Sequence, residues 1–228
     1  MGQHPGQLIS LTFPRNLLPF LAVAGNRAAL IDMISLVLGL GNIGDKYAGT
    51  RHNVGFGVVA GVEQALKAKK RRSTSEYDLS TAEYEGRRVY LARPRTYMNL
   101  SGLAAIALLQ KAELSPSEML VVVDDFNLPL GTLRFRKKGS DGGHNGLISI
   151  IDEVGTHEFP RLRLGIGPLP PDAEGSAEFV LSRFASDEQK AVDEMIKTAA
   201  EAVVFAIQHR LDLAMSKYNS SPALPEDH

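Results

Sequence analysis

Apolar residues fall into two patterns along this chain. Two short runs, ISLVLGLG (34–41) and MLVVVDD (119–125), are nearly unbroken and close in glycine or acid. Runs of this length, rich in branched residues, read as strands buried on both faces. Elsewhere the apolar positions recur every three or four residues. Val58, Val59, Val62 and Leu66 do so across 56–69, predicting a helix that ends in the basic cluster Lys67, Lys69, Lys70, Arg71 and Arg72. Part of that cluster suits a helix C-terminus, where cations meet the negative end of the dipole. Val192, Met195, Ile196, Ala199 and Val203 mark a longer helix. It opens at Ser186 and Gln189, a capping-box pair, and runs to about Ile207. Shorter helices are expected at 103–112 and at 146–155, the second stopped by Gly155.

Period-two alternation marks the remaining strands. Segments 78–84 and 87–92 flank Glu85-Gly86 as a hairpin. Segment 131–139 alternates as a half-exposed strand. Segment 161–167 puts Arg161 and Arg163 on one face and Leu162 and Leu164 on the other. A proline-rich segment at 168–171 starts a long loop. Strands and helices interleave, so the expected fold is α/β: a single domain over 33–218 with a twisted mixed, largely parallel sheet flanked by helices. Residues 1–32 read as an N-terminal extension outside that fold, because a clean strand opens just after Met33. The stretch LLPFLAVAG (17–25) offers a targeting segment as the alternative. Residues 219–228 read as a flexible tail.

Composition narrows the picture. A chain of 228 residues, 44% hydrophobic, can bury a sizeable core. Lys plus Arg number 25 and Asp plus Glu 26, a net charge of -1, so any polyanion site must come from local clustering. Cysteine is absent, which removes disulfides and thiolate metal ligands and fits a cytoplasmic location. No run reaches the ~18 apolar residues of a membrane-spanning helix.

Candidate chemistry collects where the buried strands end. GLGNIG (39–44) matches G-x-G-x-x-G, but loop residues follow it where a dinucleotide site needs a helix. Asn42 follows the first strand and His52 lies in the loop beyond. Asp124 ends the second strand, Asn99 sits in a turn, and Asn145 begins a helix. Singly, each asparagine reads as turn chemistry. Together they suggest a histidine paired with a carboxylate, a base that activates water. Side-chain amides can hold a carbonyl oxygen without adding charge. No metal is expected, since His52 and His144 lie far apart and no His-x-x-x-His set exists. Arg136, Lys138 and Arg163, around the glycine-rich loop 139–143, could clamp a phosphate; an exposed charged strand face is the plainer reading.

These motifs occur in a fixed order. LVLGLGNIGDKYAGTRHNVGF (36–56), RPRTYMNLSG (93–102), VVDDFNLPLGTLRFRKKGSDGGHNGLISI (122–150), RLRLGIG (161–167) and FVLSRF (179–184) resemble the bacterial-type peptidyl-tRNA hydrolases. The resemblance spans roughly 33–218. It implies hydrolysis of the ester joining a peptide to tRNA, with His52 as general base and Asp124 orienting its ring. Asn42 and Asn99 would hold the peptide and polarise the scissile carbonyl, and Asn145 would position substrate or water. Tyr47 would line the tRNA end, Met98 and Gly142 would border the peptide groove, and Arg136 and Arg163 would clamp a phosphate. The resemblance implies peptidyl-tRNA as the partner, no cofactor or metal, no membrane, no obligatory protein partner and a monomer. In the pair His144-Asn145 the asparagine is the expected contact and His144 supports the loop. Ile43 stands where the family usually has proline, and Phe126 and Asn127 are less typical. A non-catalytic RNA-binding protein on the same scaffold is the competing class.

Overall fold

The two unbroken apolar runs lie at the centre of the molecule. In the computed structural model, which describes residues 33–170 and 175–219, β1 is Leu36–Gly39. It sends Val37 into one apolar layer and Leu36 and Leu38 into the other. The later central strand, Met119–Pro129, splits likewise, with Leu120 and Val122 on one side and Val121 and Val123 on the other. A strand covered on both faces has no solvent side to mark, so its sequence shows no alternation.

The other strands are β2 (Lys69–Ser73), β3 (Tyr77–Tyr84) and β4 (Arg87–Pro94); the central strand above is β5, followed by β6 (Leu133–Arg136) and β7 (Arg161–Gly167). They form one seven-stranded sheet in the order β2-β3-β4-β1-β5-β7-β6. The four inner strands β4, β1, β5 and β7 run parallel. β2 and β3 on one flank and β6 on the other are antiparallel additions. The α/β architecture with a mixed, largely parallel sheet is therefore as expected.

Helices α1 (Val54–Ala65), α5 (Gln189–Gln208) and α6 (Leu211–Tyr218) cover one face. Helices α2 (Ser101–Ala112) and α3 (Asn145–Val154) cover the other. Each leucine these layers bury, such as Leu38 or Leu108, contributes ~1.5–3 kcal/mol. None of the described helices is long and apolar enough to cross a membrane.

Four expectations need correction. The first helix stops at Ala65, and the basic cluster from Lys69 onward belongs to β2, an edge strand paired with β3. Cations on an edge strand discourage pairing with another chain. The Ser186–Gln189 capping box does not form; Glu188 is the N-cap of α5, and its carboxylate accepts from Ala185 N at 2.8 Å. The loop after Pro168 contains a short helix, α4 (Ser176–Leu181). Asn219 does not begin a loose tail: its side chain pairs with the backbone N and O of Phe135 in β6, at 2.6 and 3.2 Å. The proposed extension, 1–32, and the rest of the tail, 220–228, lie outside the described residues.

Candidate active site

Parallel strands leave a crevice beyond their carboxyl ends, and here its depth comes from unequal strand lengths. The β1–β5 ladder ends at Gly39 opposite Val122, so Asp124 projects from β5 where β1 no longer flanks it. Just there α1 crosses the end of β1. A Cβ on Gly39 would lie 2.2 Å from the Gly55 carbonyl oxygen, so the approach requires glycine. The crossing brings the 3₁₀ turn Arg51–Asn53 to the crevice. Asn53 then staples the intervening loop at its base: its Nδ2 donates to Asn42 O at 2.9 Å and its Oδ1 accepts from Asn42 N at 2.8 Å. No sequence signal separated this asparagine from ordinary turn residues.

His52 Nδ1 lies 2.8 Å from Asp124 Oδ1. The ring and the carboxylate are thus within hydrogen-bonding reach. His144, assigned only to loop support, reaches the same oxygen: its Nε2 lies 3.1 Å from Asp124 Oδ1. The two rings are 4.9 Å apart, centroid to centroid, and tilted by 49°. The far nitrogen of His144 sets its tautomer. Nδ1 accepts from Gly146 N at 3.1 Å and Leu147 N at 3.4 Å, capping α3. Nε2 therefore carries the hydrogen and donates it to Asp124. His52 donates from Nδ1, which leaves its Nε2 as the ring's acceptor. Burial works against the Asp124 carboxylate, but the two imidazoles, His144 first, more than offset it and hold its pKa well below the usual carboxylate range.

The same three groups, with ligand atoms within 4.8 Å of one another, could be read as a cation site. The hydrogen bonds argue otherwise. For His144 Nε2 to ligate a metal, Nδ1 would have to take up the proton, against two backbone N–H groups that already point at it.

The amides are distributed around this core. Asn42 Oδ1 accepts from Met98 N at 2.8 Å, which fixes the amide and leaves Nδ2 to donate elsewhere. Asn99, in the turn after Met98, is exposed. Asn145 is also exposed, and with His52, Asp124, Gly142 and His144 it lines a cavity of about 70 Å³. That is room for a water molecule and a reacting group. A larger cleft of about 640 Å³ lies beyond Asn42, walled by Phe56, Val192 and Ile196, with Ile43 among its lining residues. Tyr47 stands edge-on to Tyr97, their centroids 6.5 Å apart. Met98 is buried, packed where a Cβ on Gly146 would sit.

The basic residues share a sheet face. Arg134 pairs in register with Arg163, and Arg136 with Arg161. Like charges placed directly opposite cost stability, and the fold handles them unequally. Arg161 is withdrawn into the protein, donating to the carbonyls of Gly139, Ser140, His157 and Phe159. Burial and then the charge of Arg163 lower its pKa to about 10. It shapes the glycine-rich loop and is not offered to a ligand. Arg163 pairs with Asp125 at 2.9 Å and lines the small cavity. Arg136 is exposed. Lys138 is exposed and paired with Glu158 at 3.1 Å.

The GLGNIG stretch leads into loop and 3₁₀ turn, and among the described residues no α-helix begins before Val54. The pyrophosphate-binding geometry is thus missing there. Comparison with known proteins shows the family. The family model for peptidyl-tRNA hydrolase matches residues 36–226. The chain belongs to the peptidyl-tRNA hydrolase family. It is 43% identical over 192 residues to the peptidyl-tRNA hydrolase of Chlorobaculum parvum, covering 83% of this chain and 100% of that one. It is 46% identical over 186 residues to that of Aquifex aeolicus, covering 82% and 96%. The crystal structure of the Acinetobacter baumannii peptidyl-tRNA hydrolase superposes with a TM-score of 0.78 at 33% identity, covering 84% of this chain and 97% of that one.

Proposed function

We propose that the protein hydrolyses the ester between peptide and tRNA using a water molecule activated by His52. One observation carries the mechanism: Asp124 Oδ1 fixes His52 through Nδ1 and leaves Nε2 as a base beside the small cavity. No hydroxyl is hydrogen-bonded to His52 among the described residues, so the group it deprotonates is water. Water oxygen attacks the ester carbonyl carbon while its proton passes to His52 Nε2. Asp124 stabilises the imidazolium that forms. Asn42 Nδ2 donates to the developing oxyanion. The intermediate collapses, the C–O bond to the ribose breaks, and the 3′ oxygen takes the proton back from Nε2. Asn99 and Asn145 hold the peptide backbone. Gly142 and Met98 border the peptide, and Tyr47 borders the tRNA end. Arg136 and Arg163 grip a phosphate, with Lys138 as an outer contact. In this reading the enzyme works as a cytoplasmic monomer without metal or cofactor, and frees tRNA from peptides released before translation is complete.

The test is hydrolysis of purified peptidyl-tRNA in ¹⁸O water. Acyl-carbon attack puts the label in the new peptide carboxylate and leaves tRNA with an unlabelled 3′ hydroxyl. Tight tRNA binding without turnover would favour the non-catalytic RNA-binding alternative. Arg136→Ala is expected to weaken binding and lower its salt slope by roughly 0.7–0.9; an unchanged slope removes Arg136 from the clamp.

A further inference from the structure

Arg51, next to His52 in the chain, is 7% exposed. Its guanidinium lies between the rings of Phe179 and Phe184, 4.5 and 4.4 Å from their centroids. Nη1 donates to Ile166 O at 3.2 Å, Nε to Ser182 Oγ at 3.4 Å, and Nη2 pairs with Glu188 Oε2 at 2.5 Å. The backbone joins in: Arg51 N donates to Ser182 O at 3.0 Å, and Thr50 forms a β-bridge with Arg183. Burial works against the Glu188 carboxylate, but its bonds to Arg51 and to Ala185 N, with the Arg51 charge, together outweigh that and lower its pKa. Apart from Ile166, every partner lies in the stretch 179–188.

That stretch includes the end of α4, and α4 forms part of the catalytic cavity. Ser176, Ala177 and Val180 line the same 70 Å³ space as His52 and Asp124. The base and the wall facing it thus come from segments far apart in sequence, and Arg51 ties them together. We infer that Arg51 is a positioning residue for the hydrolysis: it fixes the spacing between the turn that carries His52 and the wall formed by α4. The inference rests on His52 being the base. It also explains why an arginine is needed. A planar guanidinium can stack between two rings while its in-plane N–H groups reach three acceptors, whereas an ammonium cannot do both.

Arg51→Lys and Glu188→Gln test it from opposite ends of the tie. Both are assayed on peptidyl-tRNA for kcat and KM, with melting temperature and the imidazole ¹H–¹⁵N spectrum recorded on the same samples. In Arg51→Lys, kcat falls ~10-fold or more, since a displacement near 1 Å can cost ~100-fold. KM changes less than kcat because the arginines proposed to hold tRNA are untouched, and the His52 Nδ1–H signal moves. Glu188→Gln moves the same quantities in the same direction by less. If both variants melt earlier but keep kcat and the His52 signal of the parent, Arg51 is only a structural anchor and the inference is overturned. Should Arg51→Lys fail to fold, Glu188→Gln and Ser182→Ala decide the matter by the same readouts. Failure of the base assignment looks different: His52→Ala itself would keep its turnover, whatever Arg51→Lys does.

Discussion

Two His-Asn pairs, residues 52–53 and 144–145, end at the same atom and use opposite ring nitrogens to reach it. His52 approaches Asp124 Oδ1 through Nδ1, and His144 through Nε2. The difference lies in what the second nitrogen does. In His144 it is consumed by the first backbone amides of α3. In His52 it is left over beside the cavity. One imidazole can therefore take a proton from water, and the other is an N–H donor built into a helix end. The asparagines differ as well. Asn53 closes a loop with both ends of its amide, while Asn145 faces the cavity. Equal dipeptides thus take unequal roles because of what the backbone beside each one supplies.

The strongest way to break this contrast is His52→Ala. Turnover should fall by ~10²–10⁴, the usual worth of general-base help, while circular dichroism and melting stay near the parent's. Turnover close to the parent's would end the distinction between the rings. Asp124→Asn comes next. Its amide oxygen can still accept from an imidazole, but the charge that stabilises imidazolium is gone. A large fall in kcat with tRNA affinity nearly unchanged is expected. In the double variant the losses should not multiply, because the two groups act as a unit.

The sequence carried some of this openly and hid the rest. β1 and β5 were legible because strands covered on both faces are apolar throughout, and the strand-end rule then put Asp124 near His52. β2 was hidden because an edge strand held by backbone hydrogen bonds can be almost wholly basic. Arg161 and Arg163 look alike in an alternating strand, yet one is buried and spent on four carbonyls while the other lines the cavity. His144 was hidden for a further reason. The direction of its ring depends on a glycine turn, with Gly142 at φ +60° and Gly143 at φ +80°, and side-chain pattern does not encode that path. The Arg51 tie was hidden because its partners arrive from more than a hundred residues away.

His144 variants sharpen the comparison at a smaller scale. His144→Ala removes both a donor to Asp124 and a helix cap. Turnover should fall about 10-fold, in the range that misplacement of a catalytic group can cost, and stability by about 1 kcal/mol. His144→Asn separates the two effects, since asparagine is a good N-cap but too short to keep the contact with Asp124. Stability should recover in denaturant titrations while turnover stays low. If turnover recovers with the cap, the contact between His144 and Asp124 has no part in the reaction.

The smallest effect expected is on stability in acid. Asp124 is held ionised by the two imidazoles, so its folded pKa lies below the ordinary value of 3.8. When pH falls, the unfolded chain takes up this proton first, and protonation therefore favours unfolding. The stabilisation is fully present above the unfolded value. It is lost as pH drops through that value toward the folded one, a window beginning near pH ~5 and extending below it. Asp124→Asn has no such proton to gain. Denaturant titrations at pH 7 and at steps down to about pH 3 should therefore show the parent losing stability more steeply than the variant. Parallel acid profiles would mean that the carboxylate gains nothing from its two donors, and that the shared oxygen is a crowded contact instead of the centre on which both histidines are arranged.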